Sequence, residues 1–258
     1  MNNEITVIVT TYNNNNCIRE CLLSVINQTQ SPKSIIVIDD CSEDILTLKK
    51  IIYSLNNTSN IKIELLINEK NSGPGFSRNK AWSLVKTEFI AFLDADDIFY
   101  KDKLKEQIKL FEKYPDISMV SSKKKLNNKA SDINNASYKI KIISITMILT
   151  KNYIATSSVL IKSDIKERFN SNYYAEDYYL WITMLLNNNL IILMDTNTCS
   201  EIFNIKNMNK LSSNTLKMQI GIQKVLSSFY SKDIKLNFLI LLSQIYSILK
   251  FIFKSFFK

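Results

Sequence analysis

The sequence predicts an α/β fold, a mostly parallel sheet flanked by helices and followed by a helical C-terminal extension. Three observations carry this. Val/Ile-rich runs alternate with segments whose apolar residues recur at helical spacing, the pattern of strands joined by helical crossovers. The 258 residues are 46% hydrophobic and 22% charged, enough to bury a full core. Only three Gly and three Pro occur, which excludes collagen-like, low-complexity and Gly/Pro-linked architectures.

In chain order, Ile5 to Thr10 reads as a buried strand and Cys17 to Gln28 as a helix through Ile18, Cys21, Leu22, Val25 and Ile26. Ser34 to Ile38 is the next strand, Ile45 to Leu55 a helix, Ile61 to Ile67 a strand, Ser77 to Val85 a helix and Glu88 to Leu93 a strand. Beyond Asp97 the pattern changes. Lys103 to Lys113 is amphipathic, Ile117 to Val120 is a short strand, and the Lys/Asn-rich stretch from Ser121 to Tyr138 reads as a loop. Thr156 to Ile161 reads as a strand, Glu176 to Asn187 as a helix and Leu190 to Met194 as a short strand, with the chain wholly helical from Ser213. No internal repeat is found.

Histidine is absent, which excludes Ser-His-Asp and Cys-His triads and every His-bearing zinc site. Acid/base chemistry therefore falls to carboxylates, Lys, Tyr or Cys. A net charge of +9 favours anionic partners, although the abundance of Asn, Lys and Ile is also what an AT-rich genome would write. Cys17, Cys21, Cys41 and Cys199 read as small buried hydrophobes in a reducing cytoplasm rather than a metal site. Met1 to Glu4 lead directly into the first strand without a basic segment and apolar core, which predicts a cytosolic protein.

Ligands of open α/β sheets bind outside the carboxyl ends of the strands, and here those ends are strongly polar. They read Thr10-Thr11-Tyr12-Asn13, Asp39-Asp40, Asn68 with the loop to Gly75, and Asp94-Ala95-Asp96-Asp97. One Asp suffices for a helix cap; three in four residues after an apolar strand offer the hard oxygens with which Mg²⁺ or Mn²⁺ holds a diphosphate. Asn71 to Asn79 holds Gly73 and Gly75, two of the three glycines, immediately before a helix, and its Arg78 presents a forked donor suited to phosphate. The segment also reads as an ordinary turn and cap, and it lacks the Gly-Lys-Ser/Thr ending of a P-loop. Glu176 and Asp177 open a helix among Tyr174, Tyr178, Tyr179 and Trp181; the helix dipole accounts for acids there, while desolvation by aromatic neighbours would suit one of them to act as a base.

These segments, in this order, resemble the family-2 glycosyltransferases, inverting nucleotide-sugar enzymes of the GT-A fold, whose Rossmann-like sheet is flanked by helices. The resemblance runs from Val7 to Asn13, Val37 to Asp44, Asn71 to Asn79, Phe92 to Asp97 and Glu176-Asp177. It implies a catalytic domain over residues 1–210, with a nucleotide-sugar half of about 1–100 and an acceptor half of about 101–210, and a helical extension over 211–258. It further implies that Thr11 and Tyr12 line the nucleotide pocket and that Asp39 or Asp40, with Asp40 preferred, meets the uracil of a UDP-sugar. Asp94 and Asp96 become the metal-binding Asp-x-Asp pair, Asp96 on Mn²⁺ or Mg²⁺ and Asp94 towards ribose and sugar, with Asp177 as the catalytic base. Many relatives carry a late His that reaches the metal or diphosphate; the corresponding place here holds Lys206, which can meet the diphosphate only as a point charge. The acceptor implied is a glycan or lipid-linked saccharide of bacterial surface-polysaccharide synthesis.

Two other classes compete. Haloacid-dehalogenase-like phosphatases also place Asp-x-Asp after an apolar strand, but on the first strand of the chain. A non-catalytic nucleic-acid binder would use Lys123 to Lys125 and Lys129, yet no RNA- or DNA-binding signature accompanies them, so a solvated loop and no nucleic-acid partner are expected. Finally, Lys235 to Lys258 is too apolar for a solvated tail. Asn237, Ser243, Gln244, Ser247 and Lys250 interrupt it, which predicts a helix lying at the anionic inner face of the cell membrane, with packing on the domain or on a second subunit as the competing reading.

Overall fold

The computed structural model describes residues 3–125, 138–170, 174–202 and 214–256. Its first half contains β1 (Ile5–Thr11), α1 (Ile18–Ile26), β2 (Ser34–Asp39), α2 (Ile45–Asn56), β3 (Lys62–Ile67), α3 (Pro74–Trp82) and β4 (Phe89–Asp94). Then come β5 (Asp97–Phe99), α4 (Lys103–Lys113), β6 (Ile117–Lys125), β7 (Ile140–Ile142), α5 (Ile145–Thr150), a single 3₁₀ turn (Thr156–Ser158) and β8 (Leu160–Lys162). The chain ends with α6 (Glu176–Leu186), β9 (Leu190–Glu201), α7 (Thr215–Ser227) and α8 (Ile234–Phe256).

The nine strands among the described residues join one sheet, in the order β3-β2-β1-β4-β8-β6-β9-β5, with β7 pairing β9 off this path. The pairs β3-β2, β2-β1 and β1-β4 are parallel. Beyond β4 the sheet is mixed: β8 is antiparallel to β4 and β6, β9 runs parallel to β6, and β5 and β7 are antiparallel to β9. The sheet separates two cores because side chains alternate along each strand. Ile35, Val37, Phe89, Ala91 and Leu93 face α1, α2 and α4, whereas Ile36, Ile38, Ile90 and Phe92 face α3 and α6. Both faces are buried, which is why these strands read as continuous apolar runs. Val225 and Leu226 of α7 and Ile240 of α8 belong to the second core, so the C-terminal helices are built onto the domain.

Several expected boundaries move. α3 starts at Pro74 rather than Ser77, because Gly73 takes φ 85° and the proline ring suits the first helical position. β6 continues to Lys125 and β9 to Glu201, so Ser121 to Lys125 is strand where a loop was expected. The hidden reason is hydroxyl pairing: Ser122 Oγ bonds Thr198 Oγ1, and Ser121 Oγ donates to the carbonyl of Ile192, so buried polar strands escape a hydrophobic pattern. The expected strand at Thr156 to Ile161 is a 3₁₀ turn followed by β8, and β5, β7 and α5 had no sequence signal. The terminal helical stretch breaks before α8, where Asp233 Oδ1 accepts from the backbone N–H of Lys235 and Leu236. Three cysteines are buried as expected; Cys41 is exposed and holds φ 70° in the turn after β2.

Candidate active site

In the strand order, β2 and β4 flank β1, so the carboxyl ends of these strands open at a switch point of the sheet. A cleft of about 850 Å³ lies there, and Thr11, Tyr12, Asp40, Gly73, Arg78, Asp94, Asp96, Glu176 and Asp177 all line it. Nine of the residues proposed from sequence therefore share one cavity. Asp39 is not among the lining residues: it is fully buried and accepts from the backbone N–H and hydroxyl of Ser42, shaping the turn after β2. Of the two acids, Asp40 lines the cleft and Asp39 does not. Lys206 lies outside the described residues.

Asp40 organises the glycine segment. Its Oδ1 accepts from Asn68 Nδ2 (2.8 Å) and the Ser72 N–H (2.9 Å), and its Oδ2 accepts from the Gly73 N–H (2.7 Å). The positive φ of Gly73 aims that N–H at the carboxylate. Gly75 answers a different need. A Cβ there would stand 2.8 Å from Glu176 Cγ and 3.0 Å from the Asn170 carbonyl oxygen, so only glycine lets α3 meet α6 this closely.

Arg78 is buried between the two halves of the site. Nη2 donates to Asp94 Oδ1 (2.6 Å) and Nη1 to Glu176 Oε1 (2.8 Å), while the guanidinium lies 5.2 Å from the Phe169 ring centroid. A forked donor holding two carboxylates has little left for a phosphate, so the phosphate contact expected of Arg78 gives way to a bridging role. Asp94 also accepts from Thr10 Oγ1 (3.1 Å), again through Oδ1. Burial would raise the Asp94 carboxyl, but Arg78 and then Lys124 outweigh it and hold the group below the usual carboxylate range.

Below the Asp-x-Asp pair, Asp97 is fully buried, accepts from Lys124 Nζ (2.7 Å), and is bonded by the Ser157 hydroxyl. Burial lifts its carboxyl to about 7 against the pull of Lys124. Burial opposes the charge of Lys124, yet Asp97 and Asp94 overcome it and hold the ammonium above its ordinary value. Lys124 and Glu201 line the cleft, their nitrogen and oxygen 4.0 Å apart. Sequence reading missed both. They arrive through the parallel pairing of β6 with β9, and in sequence Lys124 looked like one of three solvated lysines.

On the far wall, burial raises the Glu176 carboxyl to about 7, with Arg78 opposing and Asp177 reinforcing. Burial likewise raises Asp177, opposed by Arg78 and by the Tyr178 N–H, which donates to Asp177 Oδ1 at 2.7 Å. Glu176 is tied to Arg78, whereas Asp177 keeps, among the described residues, only a long bond from Thr156 Oγ1 (3.4 Å) besides that N–H. Of the two acids, Asp177 has the carboxylate freer to receive a proton. Asp94, held by Arg78 and Thr10, is a poor match to the free nucleophile that the phosphatase reading requires.

A half-parallel sheet opening on a carboxylate-lined cleft at its switch point is the arrangement that the resemblance to GT-A glycosyltransferases leads one to expect. The chain belongs to Glycosyl transferase family 2, whose family profile matches residues 6–169. It is 29% identical over 198 residues to the Escherichia coli UDP-Glc:alpha-D-GlcNAc-diphosphoundecaprenol beta-1,3-glucosyltransferase WfgD, covering 76% of each chain. It is 30% identical over 178 residues to the Staphylococcus aureus poly(ribitol-phosphate) beta-N-acetylglucosaminyltransferase TarS, covering 67% of this chain and 30% of that one. The chain thus spans three quarters of the first relative and under a third of the second. In fold it matches S. aureus TarS 1-349 in complex with UDP-GlcNAc, with a TM-score of 0.70 at 22% identity over 95% of this chain and 72% of that one. It also matches the Pyrobaculum calidifontis mannosyltransferase PcManGT in complex with GDP-Man and Mn²⁺, with a TM-score of 0.69 at 16% identity over 95% and 69%.

Proposed function

We propose that the chain transfers a sugar from a UDP-sugar to a hydroxyl of a glycan or lipid-linked acceptor, with inversion, in the cytoplasm at the inner face of the membrane. One observation carries the reading: Asp177, with its carboxyl raised by burial, shares a single cleft with Asp40 and the Asp94/Asp96 pair. In the reaction the acceptor oxygen attacks the anomeric carbon from the face opposite the diphosphate, its proton passes to Asp177, and the bond from that carbon to the diphosphate oxygen breaks to release UDP. Thr11, Tyr12 and Asp40 bind the nucleoside. Asp94 takes the ribose and sugar, held in place by Arg78 and Thr10, and Lys206 is assigned to the diphosphate as a point charge.

No three His, Cys, Asp or Glu among the described residues form a closed metal cage. The two carboxylates Asp94 and Asp96 on one wall of the cleft nevertheless fit an ion that completes its oxygen shell from substrate phosphates. Asp96, with Asp94 beside it, would hold Mn²⁺ or Mg²⁺, which would supply charge neutralisation of the departing diphosphate. The relatives support the donor and acceptor classes: WfgD is named for UDP-Glc and a diphosphoundecaprenol acceptor, and TarS for a poly(ribitol-phosphate).

The test is Asp177→Asn. Transfer should fall by at least about 10³-fold while UDP-sugar affinity stays within a few-fold, because an amide keeps the shape but takes no proton. The acid limb of kcat/KM in the parent should lie above the ordinary Asp range, activity rising with pH as Asp177 deprotonates. Near-normal turnover of the variant would remove Asp177 from the role, and loss of turnover on Glu176→Gln alone would move the role to Glu176.

A further inference from the structure

The helix α8 is amphipathic in the inverse sense. The uncharged polar residues that interrupt its apolar run, Asn237, Ser243, Gln244 and Ser247, all turn onto the protein. Ser243 Oγ donates to the Leu149 carbonyl (2.6 Å), Gln244 Nε2 donates to Ser227 Oγ (2.9 Å), and Gln244 Oε1 accepts from the Tyr230 hydroxyl (2.8 Å). Ser247 Oγ accepts from Gln223 Nε2 (2.6 Å) and Gln219 Nε2 (3.2 Å), and Asn237 Nδ2 donates to the Ser231 carbonyl (2.8 Å). The opposite side is apolar and exposed: Phe238, Leu241, Ile245, Leu249, Ile252 and Phe253 each keep between 44% and 66% of their surface open. A water-facing helix would show the reverse arrangement.

Charge follows the same end of the chain. From residue 203 onward the sequence has nine lysines against Asp233 alone, so nearly all of the net +9 is concentrated there. Lys235 and Lys250 stand exposed on α8 itself, and Lys217 and Lys224 on α7. An apolar strip bordered by lysines matches the boundary between acyl chains and anionic headgroups.

We propose that α8 seats this outward face in the plane of an anionic phospholipid membrane, with its hydrogen-bonded side still fixed to α5 and α7. By length and composition Ile234–Phe253 is sufficient to cross a bilayer. Crossing would strip Ser243, Gln244 and Ser247 of the partners that pin them to the catalytic domain, and unpaired polar groups are costly in hydrocarbon, so the helix lies flat. The placement also reaches the chemistry. Met218 of α7 lines the cleft, and Gly221 of α7 packs so tightly on Tyr174 that a Cβ would stand 2.8 Å from the tyrosine Cβ, close in sequence to Glu176 and Asp177. The inference rests on the lipid-linked acceptor reading above and deepens it, giving the surface on which the acceptor is met.

The experiment uses the full chain and phosphatidylcholine vesicles with or without phosphatidylglycerol, at low and high salt. The parent should sediment with the anionic vesicles at low salt. Leu241→Ser, Ile245→Ser and Leu249→Ser combined should bind at least about tenfold more weakly, since half of the exposed apolar strip is replaced. Its melting temperature and UDP affinity should be unchanged, because these side chains face outward. If the triple variant does not fold, Lys235→Glu with Lys250→Glu reads the electrostatic half of the same surface. A parent that stays in the supernatant, a variant that binds as the parent does, or a parent dimer that the variant dissociates while neither touches lipid overturns the proposal, the last by assigning the face to a second copy. A parent that binds UDP but no vesicles sinks this inference alone, whereas a parent without UDP affinity sinks the function on which it rests.

Discussion

Arg78→Met tests the device that joins the two walls of the cleft. The guanidinium is almost wholly buried and serves Asp94, whose side chain is 34% exposed, and Glu176, at 11%. Removing one partner of a buried pair costs about 3–5 kcal/mol because the other charge is left without compensation. Asp94 can regain part of its hydration, so we take the lower end, about 3 kcal/mol. In a chain of this size that is about 6–12 °C in melting temperature. The loss should depend on pH, with a sign fixed by Glu176. Burial already raises its carboxyl to about 7 with Arg78 opposing, so the native state binds extra protons between the unfolded value of 4.5 and about 7, and stability falls as pH rises through that window. Without Arg78 the carboxyl rises further; at pH 6 it stays protonated and the penalty is smaller than at pH 8, where more of the unpaired charge is felt. Adding Glu176→Gln should restore about 1–3 kcal/mol at pH 8 by removing the unpaired charge. Thermal melting of the parent, both single variants and the double variant at the two pH values completes the cycle. A single Arg78→Met variant within about 2 °C of the parent at both pH values would show that the bridge does not hold the walls.

Asp96→Ala should abolish transfer and weaken UDP binding measured calorimetrically in Mn²⁺, and EDTA should do the same to the parent; full activity in EDTA would refute the metal. Gly75→Ala should cost about 1–3 kcal/mol in urea unfolding, since its Cβ meets Glu176 Cγ at 2.8 Å and the Asn170 carbonyl at 3.0 Å, where the backbone cannot yield cheaply; an unchanged midpoint would mean that α6 gives way freely.

Much of this was legible in the chain because β1 to β4 are buried on both faces and announce themselves as apolar runs, with their acids stranded at the ends. The second half was less legible for a physical reason. β6 and β9 extend through Ser121, Ser122, Thr198 and Ser200, buried hydroxyl residues that mimic a loop in composition while pairing across the sheet. Lys124 was lost with them, since nothing local distinguishes it from Lys123, which is exposed and paired with Asp195. In the glycine segment Gly73 and Arg78 line the cleft, and Arg78 is engaged by two carboxylates where a phosphate was expected. Arg78 carries the chemistry of a phosphate ligand, and only its distance to Asp94 and Glu176 shows that the protein supplies the anions itself.

The scarcity of glycine makes the same point from the other side. Of the three in the chain, Gly73 turns its N–H to Asp40, Gly75 admits Glu176, and Gly221 admits Tyr174. Each lies where one element of the cleft comes against another. Asp40 sits where the nucleoside is proposed to bind, Glu176 neighbours Asp177, the proposed base, and Arg78, on the same helix as Gly75, ties Glu176 to Asp94. Through Gly73 at its start and Arg78 within it, one short helix, α3, is therefore tied to Asp40, to Asp94 and to the helix α6 that carries Asp177. A displacement of α3 at its glycine end would move Asp94 and Glu176 together through one guanidinium. Substitutions at Gly75 and Arg78 should consequently impair donor binding and the chemical step in parallel, where Asp177→Asn impairs the step alone.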